Sequence, residues 1–332
     1  MSTTQQIVLA SRPQGWPTAD TFRLETAELP ALQPGQVLVR NTVMSVDPYM
    51  RGRMNDTRSY SQPFQVDAPL DGGAVGEVVE SRCEKLPVGT HVLHGLGWRT
   101  MAVLDETAAR PVDVMIAPAS LYLSVLGMTG LTAYAGLMSV ANFKPGDAVF
   151  VSGAAGAVGS MVGQIAKQSG APRVIGSAGS PEKVQRLLAL GFDAAFDYHD
   201  GDVRDLLAAA APEGIDVYFD NVGGDHLTAA IDSLNLGGRI AMCGAISQYN
   251  STDKPAGPDN MVMFIAKRLA LRGFLVGDHA DLAPEFAQKM GGWLAEGKIS
   301  YDETFRDGLE NAPQAFIDMM KGANTGKMIV RL

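Results

Sequence analysis

The run Val149-Phe150-Val151-Ser152-Gly153-Ala154-Ala155-Gly156-Ala157-Val158-Gly159 sets three glycines between an apolar strand and an apolar helix. That order suits a turn that cradles a dinucleotide. The strand must bend sharply, backbone must approach a pyrophosphate with no Cβ in the way, and the helix must pack close to the strand. The helix N-terminus then offers unpaired N–H groups and the positive end of its dipole to the phosphates. The spacing is G-x-x-G-x-x-G and not the usual G-x-G-x-x-G, because Ala154 and Ala155 stand where x-G is expected. A Gly/Ala-rich tight turn is the plainer alternative. The flanking β-α-β order favours the nucleotide, since that is the context the motif requires. No Gly-Lys-Ser/Thr follows, so the turn is not a P-loop.

Working outward, strand patterns at Asp147–Ser152, Arg173–Ser177, Ala194–Tyr198, Val217–Asp220 and Arg239–Cys243 alternate with helical ones. The helices fall at Val158–Ser169, Pro181–Leu190, Val203–Ala211 and Leu227–Leu234, with Ser180 as N-cap and Pro181 at the first position of the second. Such alternation implies a doubly wound parallel sheet with helices on both faces, a Rossmann α/β domain. The first third differs. Short β-rich runs, Val37-Leu38-Val39, Gly76–Val79 and His91–Leu93, lie between turn signals, and no useful helical period precedes Pro118. It reads as a compact β-barrel. After Ala283 two more helices lead to Lys327–Leu332, a β-rich end that can return to the first sheet.

At 332 residues the chain exceeds one ordinary core, and 46% hydrophobic with 19% charged residues is a globular profile. The balance of 27 basic against 36 acidic residues, with no Lys/Arg block, argues against nucleic acid. Cys83 and Cys243 cannot build a disulfide framework and fit a reducing cytosol. The polar start Met1–Gln6 lacks a signal-peptide pattern. The uncharged stretches Val114–Phe143 and Ala148–Ala166 are broken by Gly, Pro and Thr. A spanning helix needs about 20 predominantly apolar residues, so neither is expected to span a membrane.

Cofactor preference is read at the end of the second strand. An NAD site carries Asp or Glu about 20 residues beyond the turn to bond the ribose 2′-hydroxyl. Here Val174-Ile175-Gly176-Ser177-Ala178-Gly179-Ser180 brings no carboxylate, and Lys183 and Arg186 follow. Small residues leave room for a 2′-phosphate and an ammonium attracts it, so NADP(H) is expected. No metal is expected. Cys83 has no second ligand near it, and His91 and His94 lack companions at metal spacing, which leaves them a surface role on the β-domain. Neither H-E-x-x-H nor G-x-S-x-G occurs, so a carbonyl substrate would be polarised by a hydrogen-bond donor.

Assembled, these residues resemble the zinc-free medium-chain dehydrogenase/reductases, in the prostaglandin reductase and leukotriene B4 dehydrogenase group, with bacterial curcumin reductase close by. The resemblance covers essentially the whole chain. It is carried by Ser45–Gly52, Gly127–Tyr134, Gly153–Gly159, Gly163–Lys167, Gly176–Lys183, Phe219–Gly224, Cys243–Asn250 and Gly322–Lys327. It implies a GroES-like β-barrel domain formed from both chain ends, residues 1–118 and 285–332, around a Rossmann domain at 119–284. The turn residues Gly153, Ala155, Gly156, Ala157 and Val158 resemble the pyrophosphate site. Gly179, Lys183 and Tyr198 match positions around the adenosine ribose and its 2′-phosphate, with His199 where relatives often carry lysine. Met128, Thr129, Asn221, Phe274, Leu275, Val276 and Asn324 match residues beside the nicotinamide, and Thr132, Cys243, Ala245 and Ile246 match further cofactor-binding positions. Tyr249 matches a tyrosine associated with a substrate carbonyl, and Tyr49 lies in a motif lining the same cleft. A homodimer through edge strands of the Rossmann sheets is also implied.

The implied reaction reduces the carbon–carbon double bond of an α,β-unsaturated ketone or aldehyde. Negative charge then develops on the carbonyl oxygen, where Tyr249 is the donor and the cofactor ribose hydroxyl a second candidate. Tyrosine or water could supply the α-carbon proton. Other readings stay open: a quinone reductase or alcohol dehydrogenase on this fold, or a non-catalytic NADPH-binding protein. The loops Arg53–Phe64 and Asn250–Asn260 are expected to shape the pocket and to be mobile.

Overall fold

Gln36–Ser45 is the strand on which the first half of the structure is built. Ala74–Ser81 pairs antiparallel along one edge. Met101–Asp105 and Lys327–Arg331 share the other, opposite residues 36–40 and 43–45 respectively. Irregularities in register at Leu38/Val39 and Asn41/Val43 bend the strand, which is how a flat ladder curls toward a barrel. The computed structural model describes residues 2–332. Its two compact units are the chain up to Ser124 with Glu303–Leu332, and Val125–Asp302.

In the first unit a seven-stranded sheet runs Glu303–Asp307, Lys327–Arg331, Gln36–Ser45, Ala74–Ser81, His91–His94, Arg110–Pro111, with Met101–Asp105 beside Gln36–Ser45. Thr3–Leu9 and Phe22–Glu28 form a separate antiparallel pair, bonded to the chain just before Met101–Asp105 through Ile7 N to Trp98 O and Thr100 N to Gln5 O. The expected GroES-like domain of both chain ends is therefore present, with the terminal strand seated between Glu303–Asp307 and Gln36–Ser45. Val37, Val39, Val78, Val92 and Leu104 pack inside. Phe22 from the separate pair stacks on Trp98 at 5.9 Å, and Phe316 of the helix Ala312–Met320 meets Trp98 edge-on at 6.4 Å. Buried aromatic area of this kind ties the two chain ends together.

Three details depart from the sequence reading. A one-turn helix, Tyr49–Arg53, follows Pro48, too short to leave a periodic trace. The loop Arg53–Phe64 is tied at its base: Arg53 pairs with Asp71, donates to Gln62 O and lies over the Phe64 ring. His94 is not on the surface. It is buried, with Leu96 N donating to Nδ1 at 3.1 Å and Nε2 standing 2.8 Å from Asn41 Oδ1. A carbonyl oxygen can only accept, so the proton is on Nε2.

In the second unit six parallel strands run Ala194–Asp197, Val174–Ala178, Val149–Val151, Ile215–Asp220, Leu234–Met242, Ala270–Gly273. In order of appearance that is 3-2-1-4-5-6, the Rossmann arrangement, and the order reverses between Val149–Val151 and Ile215–Asp220. Phe150 stacks between Phe196 and Tyr218, at 5.9 and 5.0 Å. The helix Pro181–Ala189 begins as read, with Ser180 Oγ accepting from Lys183 N. The segment 285–302 belongs by its contacts to this unit, whereas the resemblance assigned it to the barrel. Phe286 of the helix Ala283–Ala295 fills a groove against Tyr134, and the Gln164 amide is bonded at both ends to Ser300. Among the described residues no helix is long and apolar enough to cross a membrane.

Burial, with the Arg99 charge second, pushes the His94 imidazole down to about 4. The folded protein holds it neutral while the unfolded chain binds a proton below about 6.5. Its contribution is therefore present above pH 6.5 and lost as pH falls toward 4, roughly 3 kcal/mol at most. Urea midpoints of the unsubstituted protein should drop over that interval more steeply than those of His94→Gln. Parallel curves would contradict neutral burial.

Candidate active site

At the end of Val149–Val151 the chain turns through Gly153, whose φ of +57° lies where side chains are strained. Ala154 N is held by Ser177 O of the neighbouring strand at 2.9 Å, and Gly156 N by Gly153 O at 3.1 Å. Gly159 opens the helix Gly159–Gln168 so close to the turn that a Cβ there would stand 2.6 Å from Gly153 O. Ala155, Gly156, Ala157 and Val158 make up the arc between. These are the three demands of a pyrophosphate cradle: sharp turn, bare backbone and close helix. A dinucleotide fits.

Around the ends of the second and third strands the residues suit a phosphorylated ribose. Tyr198 N is bonded to Ala178 O at 3.1 Å, and its hydroxyl stands over Gly179, where a Cβ would come within 2.6 Å of it. Lys183 is half-buried, and burial draws its ammonium below the ordinary lysine range. Such a cation gains most from an anion beside it. Of the carboxylates in this neighbourhood, Asp197 is engaged by its Oδ1 with His199 N and Nδ1, each at 3.0 Å, and Glu182 with Ser180 and its own backbone N–H. The Tyr198 ring lies edge-on to His226 at 5.4 Å. His226 is buried, its Nε2 has no partner among the described residues, and burial pushes it down to about 4.

At the switch point Asn221 N and Nδ2 bond to Ser152 Oγ and O, at 3.0 and 2.8 Å. Asn221 O in turn accepts from Ile246 N at 3.2 Å. Cys243 is half-buried, and burial with the Asp220 charge raises its thiol to about 12. Ala245 N donates to Tyr249 Oη at 3.3 Å. Asn221, Cys243, Ala245, Ile246 and Tyr249 are thus brought together at one end of the sheet. In the same unit Met128 and Thr129 open the helix Met128–Ala135, with Met128 exposed, Thr129 buried and the Thr132 hydroxyl donating to Met128 O. Phe274 packs on Phe219 beyond the edge strand, followed by Leu275 and Val276.

Tyr49 and Asn324 belong to the first unit. Asn324 Nδ2 donates to Gly326 O. Lys327, three residues on, bonds through Nζ to Val46 O and Asp47 Oδ1 at 2.9 and 2.8 Å. That links the two segments that carry Asn324 and Tyr49. Burial, with the Asp47 charge next, pushes the Tyr49 phenol well above its ordinary range and keeps it an O–H donor.

Residues 5–112 match the family described as N-terminal domain of oxidoreductase, and residues 157–292 the one described as zinc-binding dehydrogenase. The NADPH-dependent curcumin reductase of Escherichia coli is 43% identical over 331 residues, covering 98% of this chain and 96% of that protein. The NADP(+)-dependent 2-alkenal reductase of Nicotiana tabacum is 39% identical over 333 residues, covering 98% and 96%. CurA from Vibrio vulnificus, solved in complex with NADPH, is 45% identical with a TM-score of 0.94, covering 98% of each chain. The chain belongs to the zinc-independent medium-chain dehydrogenase/reductases. Its place is with the curcumin and prostaglandin reductases. Despite the descriptor of the second match, no group of three His, Cys, Asp or Glu stands together as a metal-ligand set among the reductase's described residues.

The sequence reading passed over Ser152, Tyr218 and Asp220, which hold the switch point together, and His226. For Asp220 a signal existed. A carboxylate ending an apolar strand before Asn-Val-Gly-Gly is placed to accept the amides of its own turn.

Gly159→Ala should raise the NADPH dissociation constant of the reductase by roughly tenfold or more, about 1.4 kcal/mol, measured by cofactor fluorescence titration. Gly291→Ala, where a Cβ meets nothing within 4 Å, is the control and should leave binding unchanged. Equal affinities in both variants would separate the turn from the nucleotide.

Proposed function

We propose that this reductase uses NADPH to saturate the carbon–carbon double bond of α,β-unsaturated ketones and aldehydes, the reading that the E. coli and tobacco relatives support. Bound NADPH supplies the hydride. The observation that carries the site assignment is the Tyr249 hydroxyl, fixed by a hydrogen bond from Ala245 N in the segment joined to the cofactor-side Asn221. A hydroxyl that accepts from an amide is strengthened as a donor. Set toward a substrate oxygen, it stabilises the charge that develops there as the β-carbon is reduced. The cofactor ribose hydroxyl is the second donor, and the Tyr49 phenol of the other unit is kept protonated by burial and by the Asp47 charge. Gly153–Val158 hold the pyrophosphate, while Lys183 and Tyr198 hold the 2′-phosphate and confer preference for NADPH over NADH.

Consumption of NADPH at 340 nm with a simple enone, against NADH and with a quinone in parallel, tests the assignment. Fast turnover with NADPH and a saturated ketone as product is expected. Tyr249→Phe should lower kcat by roughly tenfold to a thousandfold while NADPH affinity survives. Unchanged turnover would remove Tyr249 from the mechanism, and quinone reduction alone would replace the substrate class.

The working unit is a homodimer. Ala270–Gly273 is an edge strand, bonded on one side to Leu234–Met242 and exposed at all four residues. Met261, Val262 and Ile265, just before it in the chain, are 54%, 68% and 81% exposed. An apolar, unpaired edge is a template for a second strand. Light scattering should give twice 35.1 kDa for the protein and the single mass for Ile265→Asp with Leu271→Asp. A monomer without substitution would refute this face. Cys83 and Cys243 are both free thiols and fit a reducing cytosol.

A further inference from the structure

Asp220 ends the strand Ile215–Asp220 and is fully buried. Everything its carboxylate binds is on one oxygen. Oδ1 accepts from the Tyr218 hydroxyl at 2.7 Å, Val222 N at 2.9 Å and Gly223 N at 2.7 Å, with Ser152 Oγ at 3.3 Å. Oδ2 is buried and has no partner among the described residues. The single Tyr218 proton goes to the nearer acceptor, the carboxylate, and leaves the Ser152 Oγ lone pairs to receive Asn221 N.

The turn held in this way supports a second segment. Asp220 O accepts from Cys243 N at 2.9 Å and Gly244 N at 3.0 Å. Val222 O takes both the amide and the hydroxyl of Ser247, at 3.2 and 2.6 Å. Gly223, at a φ of +71°, lies so close to Ala245 that a Cβ would stand 3.2 Å from that residue's own. The next contact outward is Ala245 N to Tyr249 Oη.

We propose that Asp220 is a positioning residue, and that its one working oxygen sets the turn at Asn221 and, through it, the segment 243–249 that presents Tyr249. The charge is not what the site needs. Burial raises the Asp220 carboxyl above the ordinary range despite its donors, so ionisation is a cost here. Asparagine keeps the accepting oxygen at the same place. The kinetic part rests on the reading of Tyr249 given above, whereas the backbone part does not.

Hydrogen exchange of the protein without cofactor, with kcat, KM for an enone and the NADPH dissociation constant, tests this in Asp220→Asn and Asp220→Ala. The alanine variant should exchange faster at both 220–224 and 243–249 and lose roughly tenfold to a hundredfold in kcat/KM, the scale of a misplaced catalytic group. The asparagine variant should match the unsubstituted protein in exchange and stay within about threefold in turnover, since its acceptor bonds survive. Equal loss in both variants, or loss in neither, overturns the proposal. In the unsubstituted protein the amides of Val222 and Gly223 must exchange more slowly than those of 251–257. Fast exchange there overturns it even if Asp220→Ala does not fold. If Tyr249→Phe leaves turnover intact while Asp220→Ala loosens both segments, the Tyr249 reading fails and the clamp stands.

Discussion

Lys327 and Asp47 form an ion pair in which both side chains are more than nine-tenths buried, 3% and 6% exposed. Removing either partner would strand a charge away from water, at a cost of about 3–5 kcal/mol. That asymmetry makes the pair a registry device. It joins the last strand to the turn before Tyr49, residues 280 positions apart, with the Ser45 hydroxyl and Val46 carbonyl completing the network. The strand pairing of Ile329–Arg331 with Val43–Ser45 and the Phe22–Trp98–Phe316 contacts surround the same junction. One polar contact fixes which residues of the two ends meet, and apolar burial supplies the stability around it.

The Rossmann unit solves a related problem differently. Two of its strands end in turns that need special backbone, one held by a neighbouring strand and the other by the last residue of its own. Gly153 gives the nucleotide turn its conformation and Ser177 O fixes it. Gly223 does the same beside Asn221, fixed by Asp220. The buried polar groups of Ser152, Tyr218 and Asp220 lie where apolar packing alone would leave amides without partners. A network of this kind specifies one arrangement, since any slip leaves a buried polar group unpaired.

Much of this was legible in the residues. The nucleotide turn, the alternation from Val149 to Cys243 and the Ser180 cap are local, set by glycine positions and by period. The return of Lys327–Arg331 was visible as a short β-rich tail, and the family resemblance said where it goes. Ala270–Gly273 leaves no apolar pattern because it is an exposed edge strand, and Phe22–Glu28, with Arg23, Leu24, Thr26 and Glu28 exposed, is nearly as faint. Nothing near His94 in sequence announces Asn41 as its partner, so the residues alone put it at the surface. Long-range hydrogen bonds have no period, and a buried histidine looks like an exposed one until its partners are known. The role of Asp220 was missed for the same reason.

Because strands from both chain ends share one sheet, the barrel cannot finish until its final residues have left the ribosome. The strand Gln36–Ser45 must wait, with one edge half unpaired, through the synthesis of nearly three hundred residues. The Rossmann unit, by contrast, is contiguous from Val125 to Asp302 and needs nothing further downstream. Domains that emerge whole fold as units during synthesis. Once Val125–Asp302 has folded, its own structure fixes the separation of its two ends, and the closure that remains is far shorter than the sequence suggests. A nascent chain stalled short of Lys327 would therefore carry a finished nucleotide fold beside an open sheet edge.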